Sequence, residues 1–210
     1  LAERPSLQRK LVVDANFGGS GSSAIIEHDV AREVALSSCP QEAALRTVLL
    51  DLGLKEAELT DIRKVEGVIW YGSKCRVYQI SFRGRKDLNG TLSQSFKELK
   101  DLQHLDLSDT KISGDLAVLA NCTEMQRLIL RNTLVTGDLA DLAALADAIL
   151  EYLDLSNSKV TGNLGALKGA ELWRVHLSNT RIAGDVAVLG TWPEIREVDL
   201  SDTDVTGDFH

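Results

Sequence analysis

A single pattern of about a dozen residues recurs through the second half of this chain and limits what it can fold into. One copy reads Leu105-Asp106-Leu107-Ser108-Asp109-Thr110-Lys111-Ile112-Ser113-Gly114-Asp115-Leu116. The anchor residue returns at Leu128, Leu153, Val175 and Val198, in steps of 23, 25, 22 and 23 residues. A weaker first copy is anchored on Ile80, 25 residues before Leu105, and continues through Leu88, Gly90 and Leu92. The alternation Leu-x-Leu places both leucines on one face of a short strand and the residue between them on the other. One such strand cannot bury its leucines alone, whereas stacked neighbours make a continuous core. The expectation is therefore one parallel sheet, one strand per repeat.

The second half of each copy reads as a turn and a short helix. The hydroxyl column Thr110, Thr133, Ser158, Thr180 and Thr203 can bond to the turn backbone. Gly114-Asp115, Gly137-Asp138, Gly162-Asn163, Gly184-Asp185 and Gly207-Asp208 follow. Glycine permits a positive φ there. The Asp or Asn after it can cap a short helix, as at Leu116-Ala117-Val118-Leu119. A column of carboxylates is also the raw material of a calcium ladder. One carboxylate per turn already has a backbone task, so the N-cap reading is preferred.

The period and the L-x-x-L-x-L core resemble the leucine-rich repeat, over about residues 77–210 in six copies. The x-Val/Ile-x-Gly-x-Leu half resembles the plant-type repeat, with Asp-Leu standing where that motif usually continues Ile-Pro. The Thr-Gly-Asp-Leu form is associated with algal proteins. The resemblance implies an α/β fold: a right-handed solenoid with a parallel sheet on its concave face and a helical N-terminal cap. It also implies binding as the activity.

Ser38-Cys39-Pro40 opens a helix, with Ala43, Ala44, Leu45, Val48, Leu49 and Leu52 as its apolar stripe and Gly53 closing it. Lys55 to Ile62 reads as a second short helix. Trp70-Tyr71-Gly72-Ser73-Lys74-Cys75 then leads into the first repeat, similar to the cap of plant-type repeat proteins. That family usually has a close cysteine pair here, whereas this chain has Cys75 with Cys39 further back. The organisation read from the sequence is an N-terminal arm over 1–37, a helical cap over 38–76 and repeats over 77–210, the last incomplete. In the arm, Asn16-Phe17-Gly18-Gly19-Ser20-Gly21-Ser22-Ser23 reads as a linker. Leu11, Val12, Val13 and Phe17 are candidate contacts for a partner chain. An open solenoid end after Gly207-Asp208 needs either more chain or a partner to cover it.

Composition excludes several classes. The net charge is −8, of which residues 77–210 carry −7 and residues 1–76 carry −1. Sequence-independent binding to nucleic acid or to anionic lipid is not expected. No run of 18 apolar residues exists to insert into a membrane. Three cysteines cannot all pair internally. Cys39 and Cys75 could bond if the cap brought them together. Free thiols are the preferred reading, and Cys122 reads as a small buried residue. No P-loop, G-x-S-x-G or H-E-x-x-H motif occurs. His104 and His176 lie three strand spacings apart, about 14 Å, too far to share a metal ion. No cofactor, no metal site and no catalytic residue is expected.

The residues pointing away from the leucine core are the candidate site. Most are small or acidic. Arg127, Ile129, Arg131, Tyr152, Arg174 and His176 differ, and would form one patch on the sheet of the third to fifth repeats. Arg and Tyr are enriched at interface hot spots, and an exposed Ile favours company. The alternative is a solvated patch in which Arg131 pairs with Asp154. Trp192 in a loop reads as a packing lid, and Trp173 opens the fifth strand. The expectation is a non-enzymatic protein-interaction or scaffold module, an accessory subunit of a larger assembly. The alternative is a ligand-sensing ectodomain. No leader can be read from this chain, and the expected address is an organelle such as the plastid, with the extracellular space second.

Overall fold

The computed structural model describes residues 39–72, 75–146 and 149–208. Helix α1, Pro40–Asp51, buries Leu45, Val48 and Leu49 completely, and Leu52 at its C-cap is buried with them. It ends where Gly53 takes φ +101°, with Gly53 N–H donating to the Leu50 carbonyl at 2.9 Å and Leu54 N–H to the Leu49 carbonyl at 3.0 Å. That pair of bonds is the Schellman closure expected of a glycine stop. The expected second helix is two 3-10 turns instead, Glu56–Leu59 and Ile62–Lys64. Asp61 sits extended between them, and its carboxylate accepts from Arg63 N–H at 3.2 Å. An aspartate able to start a new turn interrupts the helix there.

Strand β1, Val68–Trp70, pairs antiparallel with β2, Val77–Ser81. From β2 the chain repeats. Each turn contributes one strand to a long sheet: β3 His104–Asp106, β5 Arg127–Ile129, β7 Tyr152–Asp154, β9 Arg174–His176 and β11 Glu197–Asp199. Each also contributes one to a second sheet: β4 Ser113–Asp115, β6 Leu134–Asp138, β8 Lys159–Asn163, β10 Arg181–Asp185 and β12 Asp204–Thr206. The long sheet has seven strands in the order β1-β2-β3-β5-β7-β9-β11, parallel from β2 onward. The short sheet has five parallel strands. A single sheet was the sequence expectation, and the second is the correction. Its source is the Val-x-Gly half of the repeat, where Val135, Val160 and Ile182 turn inward and are fully buried.

The anchors are in register across the long sheet: Ile80, Leu105, Leu128, Leu153, Val175 and Val198 face one another strand by strand. Between the sheets, Leu107, Leu130, Leu155 and Leu177 form a second fully buried row, and Leu116, Leu139 and Leu164 a third. In the sixth repeat Val198, Leu200 and Val205 are only partly buried, because none of the described residues stacks beyond them. Trp192 is the lid expected of it, 2% exposed, donating its indole N–H to the Leu167 carbonyl at 2.6 Å.

The turns follow a rule the sequence reading passed over. Asp109, Asn132, Asn157, Asn179 and Asp202 all have φ between 54° and 59°. Asn and Asp are the non-glycine residues that enter this left-handed region most readily. They are chained in part: Asn132 Nδ2 donates to Asp109 Oδ1 at 2.6 Å, and Asn179 Nδ2 to Asn157 Oδ1 at 2.7 Å. The next residue supplies the hydroxyl column: Thr110, Thr133, Ser158, Thr180 and Thr203 each donate to the carbonyl three residues back, at 2.6–2.7 Å. Then Asp115, Asp138, Asn163 and Asp185 each cap a 3-10 turn, accepting a backbone N–H two residues on at 2.8–2.9 Å.

Gly137 shows why that cap needs glycine before it. Its φ is +124°, and a Cβ there would lie 2.8 Å from Asp115 Oδ1 and 2.9 Å from the Leu116 nitrogen. Successive repeats therefore approach backbone to cap. Gly137→Ala is expected to destabilise the chain by about 2 kcal/mol or more, from strain and displaced cap together. Urea unfolding of the two proteins checks it, with Gly190→Ala as the comparison, since that position has open space.

Candidate interaction surface

The strand registers align two columns of side chains on the outer side of the long sheet. One holds His104, Arg127, Tyr152, Arg174 and Glu197. The other holds Asp106, Ile129, Asp154, His176 and Asp199. Repeats of 22–25 residues thus bring an arginine to each side of one tyrosine.

Tyr152 is not the exposed anchor expected from its position, since only 8% of it is accessible. The Arg127 guanidinium lies 5.2 Å from its ring centroid and that of Arg174 lies 5.4 Å away. Trp173 packs at 5.8 Å, tilted, and the His176 ring meets it edge-on at 6.1 Å. Arg174 also lies over the Trp173 ring at 4.8 Å and pairs with Glu197 at 2.6 Å. The tyrosine is the floor of a cation-aromatic stack, and the two half-exposed arginines lie over it. Each cation–π contact contributes about 0.5–1 kcal/mol at such half-exposed positions. His176 closes one side, its Nε2 2.9 Å from Glu197 and its Nδ1 3.8 Å from Asp154. Asp154 is 4% exposed and accepts Ser156 N–H at 3.1 Å.

Arg131 does not belong to this group. The ion pair with Asp154 that belonged to the alternative reading is not formed, and Arg131 pairs with Asp109 at 3.1 Å instead. Arg131 lies past the end of β5, immediately before the left-handed Asn132, and its chain crosses to the preceding repeat rather than the following one. Asp109 also receives Asn132 and sits 4.0 Å from Arg83. The Asn132 amide, and then Arg131, hold the Asp109 carboxyl below the usual carboxylate range. The six expected residues therefore split. Arg127, Tyr152, Arg174 and His176 are together with Trp173, Ile129 lines a neighbouring hollow, and Arg131 stands in a separate cluster. Trp173 is the member missed by reading strands alone, because it precedes β9 by one residue.

The hollow beside the stack measures about 230 Å³ and is lined by Gln79, Ser81, His104, Asp106, Arg127 and Ile129. The Tyr78 hydroxyl meets His104 Nε2 at 3.2 Å, and their rings stack at 5.0 Å. Burial, and then the Arg127 charge, hold the His104 imidazole below its ordinary value of 6.5. The sign follows: the unfolded chain binds this proton more readily, so His104 lowers stability as pH falls through 6.5 and below. Between pH 7 and pH 5 the urea midpoint is expected to drop less in His104→Gln than in the parent chain.

Among the described residues no group of three or more His, Cys, Asp or Glu could hold a metal ion. No described helix is long and apolar enough to cross a membrane. The arm contacts expected at Leu11, Val12, Val13 and Phe17 lie outside the described residues.

No family model matches the chain. A search of curated proteins found no match. Solved structures do match. The leucine-rich-repeat ectodomain of the receptor kinase SOBIR1 from Arabidopsis thaliana is 24% identical, with 81% of this chain and 96% of that one covered and a TM-score of 0.67. The BIR2 ectodomain from Arabidopsis thaliana is 23% identical, covering 76% and 85%, with a TM-score of 0.57. The ectodomain of the Arabidopsis thaliana receptor kinase GASSHO1/SCHENGEN3, solved in complex with CASPARIAN STRIP INTEGRITY FACTOR 2, is 21% identical with a TM-score of 0.66. The alignment covers 80% of this chain but 23% of that one. The fold is the leucine-rich-repeat solenoid of plant-type ectodomains.

Proposed function

We propose that this leucine-rich-repeat chain is a non-enzymatic protein-interaction module that docks its partner on the long sheet, over the third to fifth repeats. The observation that carries this reading is the stack of Arg127, Tyr152, Arg174 and Trp173 beside the half-buried Ile129. Arginines held in place by aromatic rings and by Glu197 lose little side-chain freedom on binding, which favours hot-spot behaviour. The module is an accessory subunit of a larger assembly, with Leu11, Val12, Val13 and Phe17 of the arm as its second contact.

A second reading, a ligand-sensing ectodomain, is favoured by the likeness to receptor ectodomains and by the hollow at His104 and Ile129. The same likeness favours an extracellular address over an organellar one. Affinity isolation with the full chain as bait separates these readings. Loss of the partner set when residues 1–37 are removed supports the tethered subunit. Loss on Arg127→Ala/Arg174→Ala, with the arm intact, supports the long-sheet surface. A chain that runs alone in every form contradicts the interaction module.

A further inference from the structure

The cap holds two thiols that the interaction surface does not use. Cys39 stands at the N-terminus of α1 and makes no capping hydrogen bond with its side chain. It is 2% exposed, while Cys75, just before β2, is half-exposed. The sulfurs share one neighbour: Arg63 Nη2 lies 3.7 Å from Cys39 Sγ and 3.1 Å from Cys75 Sγ. The Cys39 thiol also reaches the Cys75 carbonyl at 3.9 Å. Arg63 is itself fixed, 3.3 Å from Glu42 and 5.1 Å over the Trp70 ring.

The two backbones are already tied together here. Gln41, in the first turn of α1, accepts Val77 N–H at 2.7 Å through Oε1 and donates to Asp101 at 2.7 Å through Nε2. Cys75 has φ +53°, a conformation L-residues seldom adopt and which costs of order 1–3 kcal/mol. Two chain segments 36 residues apart are thus held with both sulfurs against one guanidinium nitrogen.

We propose that Cys39 and Cys75 form a redox-active dithiol, in which Cys75 reacts with a small-molecule disulfide from solvent and Cys39 closes the intramolecular bond. Cys75, as thiolate, attacks one sulfur of the small disulfide. That S–S bond breaks, one small thiolate leaves and takes up a proton, and a mixed disulfide remains on Cys75. Cys39 then gives its proton to solvent, attacks Cys75 Sγ and expels the second small thiolate, which is protonated in turn. The balance is two protein thiols and one small disulfide giving one protein disulfide and two small thiols. The division of roles agrees with the electrostatics. The hydrogen bond from Cys39, and then Arg63, lower the Cys75 thiol, while burial, and then its bond to Cys75, push Cys39 up to about 12. Cys122 is the internal control: buried, bonded to the Phe96 carbonyl at 3.5 Å and raised to about 12 by burial.

The bond would staple the start of α1 to the entry of β2 and lock the cap over the first repeat. The test incubates the full chain with oxidised glutathione, blocks remaining thiols with an alkylating reagent, and maps peptides by mass. Expected are a Cys39–Cys75 linked peptide, Cys122 alkylated, and a melting temperature raised by about 5–10 °C. Cys39→Ser is expected to trap glutathione on Cys75, and Cys75→Ser to remain unmodified while folded. Arg63→Gln is expected to slow the first step about tenfold, the cost of removing the charge that favours thiolate. A parent chain that keeps three alkylatable thiols overturns the proposal, as does one that retains glutathione on Cys75 with no linked peptide.

Discussion

Leu153→Ala is expected to cost about 3–4 kcal/mol, the largest effect of any single truncation proposed here. Leu153 is fully buried in the middle of the long sheet, paired with Leu128 on one side and Val175 on the other. Removing it opens a cavity between two rows of leucines that neighbouring repeats hold at fixed spacing, so the site collapses poorly. In a solenoid each repeat contacts only its neighbours, and an interruption at the centre weakens both interfaces at once. For a chain of this size the melting temperature should fall by roughly 10 °C. Val198→Ala, in the partly buried sixth repeat, should cost less than half as much. Urea midpoints for the two variants give the ratio. Equal costs would mean that the sixth repeat is covered in solution.

Arg127→Ala/Arg174→Ala is expected to weaken partner binding by at least about 100-fold while lowering the melting temperature less than Leu153→Ala does. Two arginine hot spots of about 2 kcal/mol each would exceed that factor, and non-additivity trims it. Stability should respond less than to Leu153→Ala, because what is lost is three half-exposed cation–π contacts and one ion pair, each contributing under about 1 kcal/mol. Raised salt should weaken the parent complex more than the variant complex, since the removed charges are those that salt screens.

The leucine ladder was legible because L-x-L alternation admits one burial pattern, and the register of Leu105, Leu128 and Leu153 follows from it. The cap helix was legible from its stripe and from Gly53. The second sheet was harder to see. Its strands alternate one buried Val or Ile with a glycine and exposed polar residues, as at Val135-Thr136-Gly137, which reads as a turn when taken alone. The burial of Tyr152 was hidden for a related reason. Strand alternation says which side a residue faces, not that two arginines one repeat away will cover it. The information was present in the register of Arg127, Tyr152 and Arg174. Arg131 was misplaced because alternation was carried past the end of β5, where the left-handed Asn132 redirects the chain. Trp173 was legible as an aromatic beside the strand, and only its contact with Arg174 joins it to the stack.

The decisive measurement is the affinity of the isolated partner for three forms of the full chain, by titration calorimetry. The forms are the parent, Arg127→Ala/Arg174→Ala on the long sheet, and Leu134→Ala at an exposed position of the short sheet. The account predicts binding weakened at least about 100-fold in the double variant and unchanged in Leu134→Ala. Equal affinity in the parent and the double variant, or a loss confined to Leu134→Ala, would contradict it.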